Sequence, residues 1–257
     1  MSLKVAAVQF APTFGDKHGN LRKLAKLVLD ATENGARLIV MPELATTGYS
    51  FMDEEEAAPH AEVIAPSSLT LKAMMALATS RNAHLVWGMV ERDAGTGELY
   101  NTQVYVDPTG YFTCYRKVNL WGSDKLWAKA GRGSPPIIQA KFEVGIGNPV
   151  ITKKIGLLIC RDIRNKDSKD GELYEKGDAD IVCFSANWGD GGFPATAWWE
   201  FAEENDAWLI VANRYGKEVP NDFGEGGICV IEPSGKVHCK GLRGHWYQDC
   251  IVYAEIP

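Results

Sequence analysis

An apolar run that ends abruptly in a thiol and a row of charges, Ile155-Gly-Leu-Leu-Ile159-Cys160-Arg161-Asp162-Ile163-Arg164, limits the folds open to this chain more than its other stretches do. The run is too short for a helix and is apolar on both faces of an extended chain. It therefore reads as a strand covered on both sides, as in a sheet with helices packed outside it. Cys160 then sits where the chain turns out of the sheet. Such a turn puts the thiol at the rim of a pocket and leaves the backbone N–H groups of Arg161 and Asp162 free to face an anionic oxygen. On this stretch alone, a cysteine after an apolar run reads more readily as a small core residue.

The chain has 257 residues, 46% of them hydrophobic, enough for one large domain or two small ones. No low-complexity linker divides it, so a single domain over 1–257 is expected. A net charge of -6, with no basic run carrying interleaved aromatics, argues against nucleic acid as a partner. No apolar run approaches membrane-spanning length, and Met1 to Phe10 lack the apolar stretch and cleavage site of a leader, so a soluble cytoplasmic protein is expected, with no membrane partner. Cys114, Cys160, Cys183, Cys229, Cys239 and Cys250 are widely spaced with no C-x-x-C pair, a pattern that suits reduced thiols.

Taken in order, the pattern predicts a strand over 4–10 and a helix over 20–34, with Leu21, Leu24, Ala25, Val28 and Ala31 on one stripe and Gly35 as its stop. A second buried strand, 37–41, ends at Pro42-Glu43-Leu44. Residues 46–50 and the acidic run 53–56 read as loop, and Ser67 or Ser68 caps a helix carrying Leu71, Met74, Met75 and Ala78 that closes near Asn82. A strand over 84–91 precedes a hairpin of 99–106 and 111–117 around Asp107-Pro-Thr-Gly110, which leaves Lys117 among apolar neighbours. Strands over 137–144 and 148–159 follow, then a short helix near 172–176 and a strand over 180–185 running into Asn187-Trp188. A helix over 195–206 and strands over 208–212, 227–232, 237–240 and 251–255 complete the set. About a dozen strands with four or more helices, mixing parallel units with hairpins, fit an α/β fold of two facing sheets with helices outside, a four-layer αββα sandwich.

Several familiar chemistries lack their motifs. There is no G-x-S-x-G, no H-E-x-x-H and no G-x-G-x-x-G, and neither Gly216-Lys217 nor Gly235-Lys236 has the earlier glycine of a phosphate loop. The five histidines show no metal spacing, so no metal is expected. A Cys–His pair stays open, because such partners need not be neighbours in sequence. What remains is Glu43, Lys117 and Cys160, each just beyond an apolar strand. Each alone also has a structural explanation: a helix-start carboxylate, an edge-strand charge and a core thiol.

Taken together, Leu38-Ile-Val-Met-Pro-Glu43-Leu-Ala-Thr-Thr-Gly48-Tyr49, Tyr115-Arg-Lys117-Val-Asn-Leu120 and Gly156-Leu-Leu-Ile-Cys160-Arg-Asp162-Ile-Arg164 strongly resemble the three active-site motifs of the nitrilase superfamily, the carbon-nitrogen hydrolases. Their order and spacing match as well. Tyr100-Asn101-Thr102, Ala186-Asn187-Trp188, Glu204-Asn205, Val211-Ala-Asn213-Arg214 and Pro233-Ser-Gly235 extend the likeness over nearly the whole chain. The resemblance implies the αββα sandwich, usually as a homodimer or higher homo-oligomer, and a catalytic set of Glu43, Lys117 and Cys160 with no cofactor. It further implies a pocket lined by Tyr49, Arg161, Asn187 and Trp188. Three departures stand out. Asn165-Lys166-Asp167 replaces the usual Phe-Pro-Glu, Ile228 stands where a serine is common, and 121–127 lacks the second glutamate, for which Asp124 is the candidate substitute. The end at Pro257, without the long extension of filament-forming nitrilases, leans towards a compact amidase-like member. The expected reaction is hydrolysis of a small carboxamide to a carboxylate and ammonia. Nitrile or N-carbamoyl-amine hydrolysis is the alternative within the family, and a catalytically silent binding protein the alternative outside enzymes. Arg161, Arg164 or Arg132 near the pocket would favour an acidic substrate.

Overall fold

Side-chain alternation along the first strand already separates the layers. Leu3, Val5 and Ala7 belong to a core shared with a second sheet, whereas Ala6 and Val8 belong to a core shared with helices. The computed structural model describes residues 1–144, 147, 150–167, 174–189, 193–240 and 247–257, with 165–167, 239 and 240 described by backbone alone. In chain order the elements are β1 (Leu3–Gln9), α1 (Lys17–Glu33), β2 (Leu38–Val40), α2 (Glu54–Ala57), α3 (Leu69–Arg81), β3 (His84–Arg92), β4 (Leu99–Val106), β5 (Phe112–Arg116) and α4 (Asp124–Trp127). After these come β6 (Ile138–Glu143), β7 (Val150–Ile159), a 3₁₀ segment over Cys160–Asp167, β8 (Ile181–Ser185), α5 (Thr196–Asn205) and β9 (Trp208–Ala212). The chain closes with β10 (Lys217–Glu218), β11 (Asn221–Asp222), β12 (Cys229–Ile231), β13 (Val237–Lys240) and β14 (Cys250–Ile256).

Two six-stranded sheets result, ordered β14-β1-β2-β3-β4-β5 and β13-β12-β9-β8-β7-β6. In the first, β1, β2 and β3 run parallel. In the second, β7, β8 and β9 do. Helices α1 and α3 cover the outer face of the first sheet, with Leu24, Val28, Ala31, Leu71, Met74 and Ala78 packed on it. Helix α5 covers the second sheet, where Trp198 meets Phe184 edge-on at 6.0 Å between ring centroids. This is the expected αββα sandwich. A fully buried Leu, Ile or Val contributes about 1.5–3 kcal/mol, and the strands supply most of these side chains. Polar ties cross between the sheets near the ends of the parallel strands. The Gln103 amide donates to the Ser185 hydroxyl at 2.7 Å and to the Cys183 carbonyl at 3.0 Å, and Ser185 donates to the Met41 carbonyl at 2.7 Å.

Most strands and helices fall where the sequence pattern puts them, and the differences have local causes. Helix α1 begins before residue 20 because Asp16 accepts the Gly19 N–H at 2.9 Å. Ser68 caps α3 through the Leu71 N–H at 3.2 Å, and Asn82, left-handed with φ 47°, ends it. The acidic run, expected as loop, is the short helix α2, because Asp53 caps it by accepting the Glu56 N–H at 2.8 Å. The helix expected near 172–176 is not found at Tyr174–Lys176, and its earlier part lies outside the described residues, as do residues 148 and 149 of the strand expected over 148–159. Cys114, Cys160, Cys183, Cys229 and Cys250 are free thiols. Among the described residues no helix is long and apolar enough to cross a membrane.

Candidate active site

Parallel neighbours in a covered sheet deliver their C-terminal ends to one side, where the chain must turn and side chains are left facing a crevice. Glu43 lies just beyond β2, Cys160 just beyond β7 and Asn187 just beyond β8. One contact shows that they converge. The Asn187 backbone N–H, from the second sheet, donates to Glu43 Oε2, from the first, at 2.9 Å. Leu44, the residue after Glu43, and Cys160 itself hold left-handed backbone at φ 48° and 42°. Such a conformation costs a non-glycine residue about 1–2 kcal/mol, and here it turns each functional side chain out of its strand. Gly88 makes room for the first turn. A Cβ there would stand 2.2 Å from the Leu44 nitrogen and 2.7 Å from the Glu43 Cα.

Lys117 follows β5 and is fully buried, as are Glu43 and Asp124. Its Nζ donates to Glu43 Oε1 at 2.6 Å and also to Asp124 Oδ2. Asn101 joins the same two carboxylates, donating to Glu43 Oε1 at 2.7 Å and to Asp124 Oδ1 at 3.0 Å. Burial alone would discharge the ammonium, but Asp124 and Glu43 outweigh it and hold the Lys117 pKa well above its ordinary value. Burial pushes Glu43 above the ordinary 4.5, opposed by Lys117. Burial likewise raises Cys160, with Glu43 adding to the rise and Lys117 and the Asn187 N–H opposing it. Burial thus favours the protonated Cys160 thiol, beside a charged Lys117 and the Glu43 carboxyl group. That combination can pass one proton from sulfur to carboxylate as the sulfur forms a bond, while the lysine faces developing negative charge.

Cys160, Arg161, Asn187, Trp188, Gly189 and Trp121 line a small cleft open to solvent. The Arg161 guanidinium lies 4.6 Å from the Trp121 ring centroid, and that of Arg164 4.7 Å from the Trp188 ring centroid. Tyr49 stands behind this wall, its ring 5.9 Å from Lys117 Nζ and its hydroxyl donating to the Trp121 carbonyl. Glu218 fixes Tyr49 in turn, accepting the Tyr49 N–H at 2.7 Å and the Ser50 N–H at 2.8 Å and pairing with buried Arg214 at 2.9 Å. Asn213 grips the Trp188 backbone, accepting its N–H at 2.8 Å and donating to its carbonyl at 3.1 Å. Asp162 ties the 3₁₀ segment to the lysine loop by accepting the Tyr115 hydroxyl at 2.9 Å and the Asn119 N–H at 2.6 Å, and burial pushes it up to about 7.

The structure thus brings Glu43, Lys117, Asp124 and Cys160 into one buried cluster and puts Arg161, Asn187 and Trp188 on the cleft wall. Tyr49 is one layer back, where it positions Trp121. Asn101, Asp162, Asn213, Arg214 and Glu218 had no assigned role in the sequence. The first four lie within or beside the quoted motifs, whereas Glu218 carries no signal, its partners being far away in the chain. The buried histidine His84 is engaged elsewhere, with Tyr105 Oη at 2.6 Å and the Lys141 carbonyl at 3.1 Å. Among the described residues no cluster of three His, Cys, Asp or Glu side chains could hold a metal.

Comparison with known proteins gives the family and the fold. Residues 4–257 match the family model of carbon-nitrogen hydrolases. A nitrilase from Pyrococcus abyssi is 32% identical over 220 residues, 84% of this chain and 76% of that protein. The 2-oxoglutaramate amidase of Bacillus subtilis is 28% identical over 265 residues, 100% of this chain and 91% of that protein. Saccharomyces cerevisiae Nit3, a member of branch 10 of the nitrilase superfamily, has the same fold, with a TM-score of 0.81 at 24% identity over 99% of this chain and 90% of its own.

Proposed function

The chain belongs to the carbon-nitrogen hydrolase family and is a hydrolase of carbon–nitrogen bonds other than peptide bonds, and from that premise we propose that it cleaves a small carboxamide to a carboxylate and ammonia through a thioester on Cys160. The observation that carries this reading is the buried Glu43–Lys117–Asp124 cluster at the strand ends beside Cys160. Glu43 takes the thiol proton as sulfur attacks the amide carbon, then gives it to the departing nitrogen. Ammonia leaves, and Glu43 removes a proton from the water that cleaves the thioester, restoring the thiol. Lys117 has three N–H donors. Glu43 and Asp124 occupy two, which leaves one for the tetrahedral oxyanion, together with the backbone N–H after Cys160. A good donor of this kind contributes roughly 3–4 kcal/mol. In this reading Asp124 does the work of the family's second glutamate, and Tyr49, Arg161, Asn187 and Trp188 shape the acyl pocket.

Ammonia release from short aliphatic amides, dicarboxylic monoamides, carbamoyl compounds and nitriles, compared with Cys160→Ala, tests the proposal. Release from amides that vanishes in the variant is expected. Release confined to nitriles would replace the amidase by a nitrilase. The homodimer implied by the family is tested by sedimentation equilibrium, with twice the 28.2 kDa chain mass expected.

A further inference from the structure

Resting on the amidase reading, we infer that Asn101 is a further positioning residue for the reaction: it holds Glu43 as an ionised base turned towards Cys160 and frees one Lys117 donor for the oxyanion. Asn101 lies on β4 and Lys117 just beyond β5, and the Lys117 backbone N–H donates to the Asn101 carbonyl at 2.9 Å. The two are cross-strand neighbours, so their side chains rise from one face of the sheet. Both reach the same pair of carboxylates. Lys117 donates to Glu43 Oε1 at 2.6 Å and to Asp124 Oδ2, and Asn101 donates to Glu43 Oε1 at 2.7 Å and to Asp124 Oδ1 at 3.0 Å. Each carboxylate thus takes one donor from the cation and one from the neutral amide, and the four side chains close into a ring. Asp124 Oδ1 has no other donor among the described residues. Without the amide, the third Lys117 N–H would be drawn to it and away from the oxyanion. On Glu43 the ring occupies Oε1 and leaves Oε2 as the working oxygen. The Asn187 backbone N–H donates to Oε2 at 2.9 Å and also to the Cys160 sulfur, which marks that oxygen and the sulfur as neighbours. Burial raises the Glu43 pKa, while hydrogen bonds from Lys117 and Asn101 hold it down, because a donor favours the ionised form. The other end of the amide gives an independent indication. Asn101 Oδ1 is buried and has no partner among the described residues. An amide kept for stability alone would have both ends satisfied; here one end is left bare and the other serves two carboxylates.

The acid limb of the kcat/KM profile, measured on an amide that the wild type hydrolyses, is the readout. Removing a donor to ionised Glu43 raises its pKa, so the limb moves to higher pH. Asn101→Leu, close in shape but without donors, should move it up by about one unit or more, the scale of a hydrogen bond to a charged group. It should also lower the plateau kcat by about tenfold or more, as the lysine donor is drawn away. Asn101→Asp, of the same shape and acceptor-only when ionised, should move the limb at least as far, which separates donors from volume. Asn101→Ser, too short to bridge both carboxylates, should move it in the same direction and decides the matter should the leucine variant fail to fold. A limb left at its wild-type position in a folded Asn101→Leu or Asn101→Ser, whatever the loss of activity, gives Asn101 a merely structural part. That result overturns the inference and leaves the amidase standing. A second profile needs no substrate. In alkylation of Cys160 by iodoacetamide the S–C bond forms, iodide leaves and the thiol proton passes to Glu43. The acid limb of that rate, read by peptide mass, should move up in Asn101→Leu as the kcat/KM limb does. If no amide is hydrolysed and the alkylation limb moves, the amidase reading fails and the role of Asn101 in holding Glu43 stands. An alkylation limb that stays in place removes that role, with or without amide hydrolysis.

Discussion

At the residue scale the account turns on three buried, charge-bearing side chains in one cluster. Two buried carboxylates without their lysine would repel each other, and removing one partner of a buried ion pair typically costs about 3–5 kcal/mol. Lys117→Met should therefore abolish turnover and lower unfolding stability by about that much, measured by urea denaturation. Loss of activity with undiminished stability would contradict a structural share for this lysine. Glu43 sets the acid limb. Burial raises its pKa above 4.5, and the base must be ionised, so kcat/KM should fall as pH drops through a value higher than that of an ordinary glutamate. Because the resting thiol is protonated, Glu43 should also govern alkylation. Wild-type Cys160 should react with iodoacetamide faster than the other cysteines, and Glu43→Gln should slow it by about 10²–10⁴, the usual range for a positioned base. The sequence singled out Glu43, Lys117 and Cys160 by their places just beyond apolar strands and by the family motifs around them, and the structure puts them side by side; Glu218 left no such mark, since its partner Tyr49 stands 169 positions away.

At the element scale, the strands were legible wherever apolar runs were bounded by turn residues, as at β3, β8 and β9. Helix α4 was not, because Asp124–Trp127 is a single turn, too short to show a period, yet it carries the carboxylate that holds Lys117. Turns between elements place the proposed catalytic groups. Gly88→Ala puts a Cβ into the Glu43–Leu44 backbone. It should cut activity far more than it changes substrate KM, because it displaces the base without touching the cleft wall. A matched loss in both would point instead to general unfolding. His84 at the start of β3 gives an element-level pH test. Burial lowers it from 6.5 to about 4, so the unfolded chain gains a proton first as pH falls. The stability of the neutral form is then complete above 6.5 and lost progressively towards 4, by up to about 3 kcal/mol. Asp162, raised to about 7, titrates in the opposite sense. The difference in unfolding free energy between wild type and His84→Gln isolates the histidine, and it should shrink as pH drops from 7 to 4.

At the scale of the whole molecule, two sheets each contribute one end of a parallel set, and the site exists only where they face each other. Glu43 and Lys117 come from the first sheet, and Cys160 and Asn187 from the second. The inter-sheet ties at Gln103 and Ser185 hold the two halves in register beside the cluster. The count of strands and their mixed connections permitted the four-layer arrangement and the family resemblance implied it, whereas the pairing of sheet edges was not legible, because long-range register leaves no local mark. Brief mixing of the enzyme with a hydrolysed amide, acid quench and peptide mass analysis tests the thioester directly. An acyl mass on the peptide containing Cys160, absent in Cys160→Ala and discharged by hydroxylamine as the hydroxamate, is the expected result. Ammonia release that continues in Cys160→Ala, or an acyl group carried on any other residue, would contradict the assignment of Cys160 as the nucleophile.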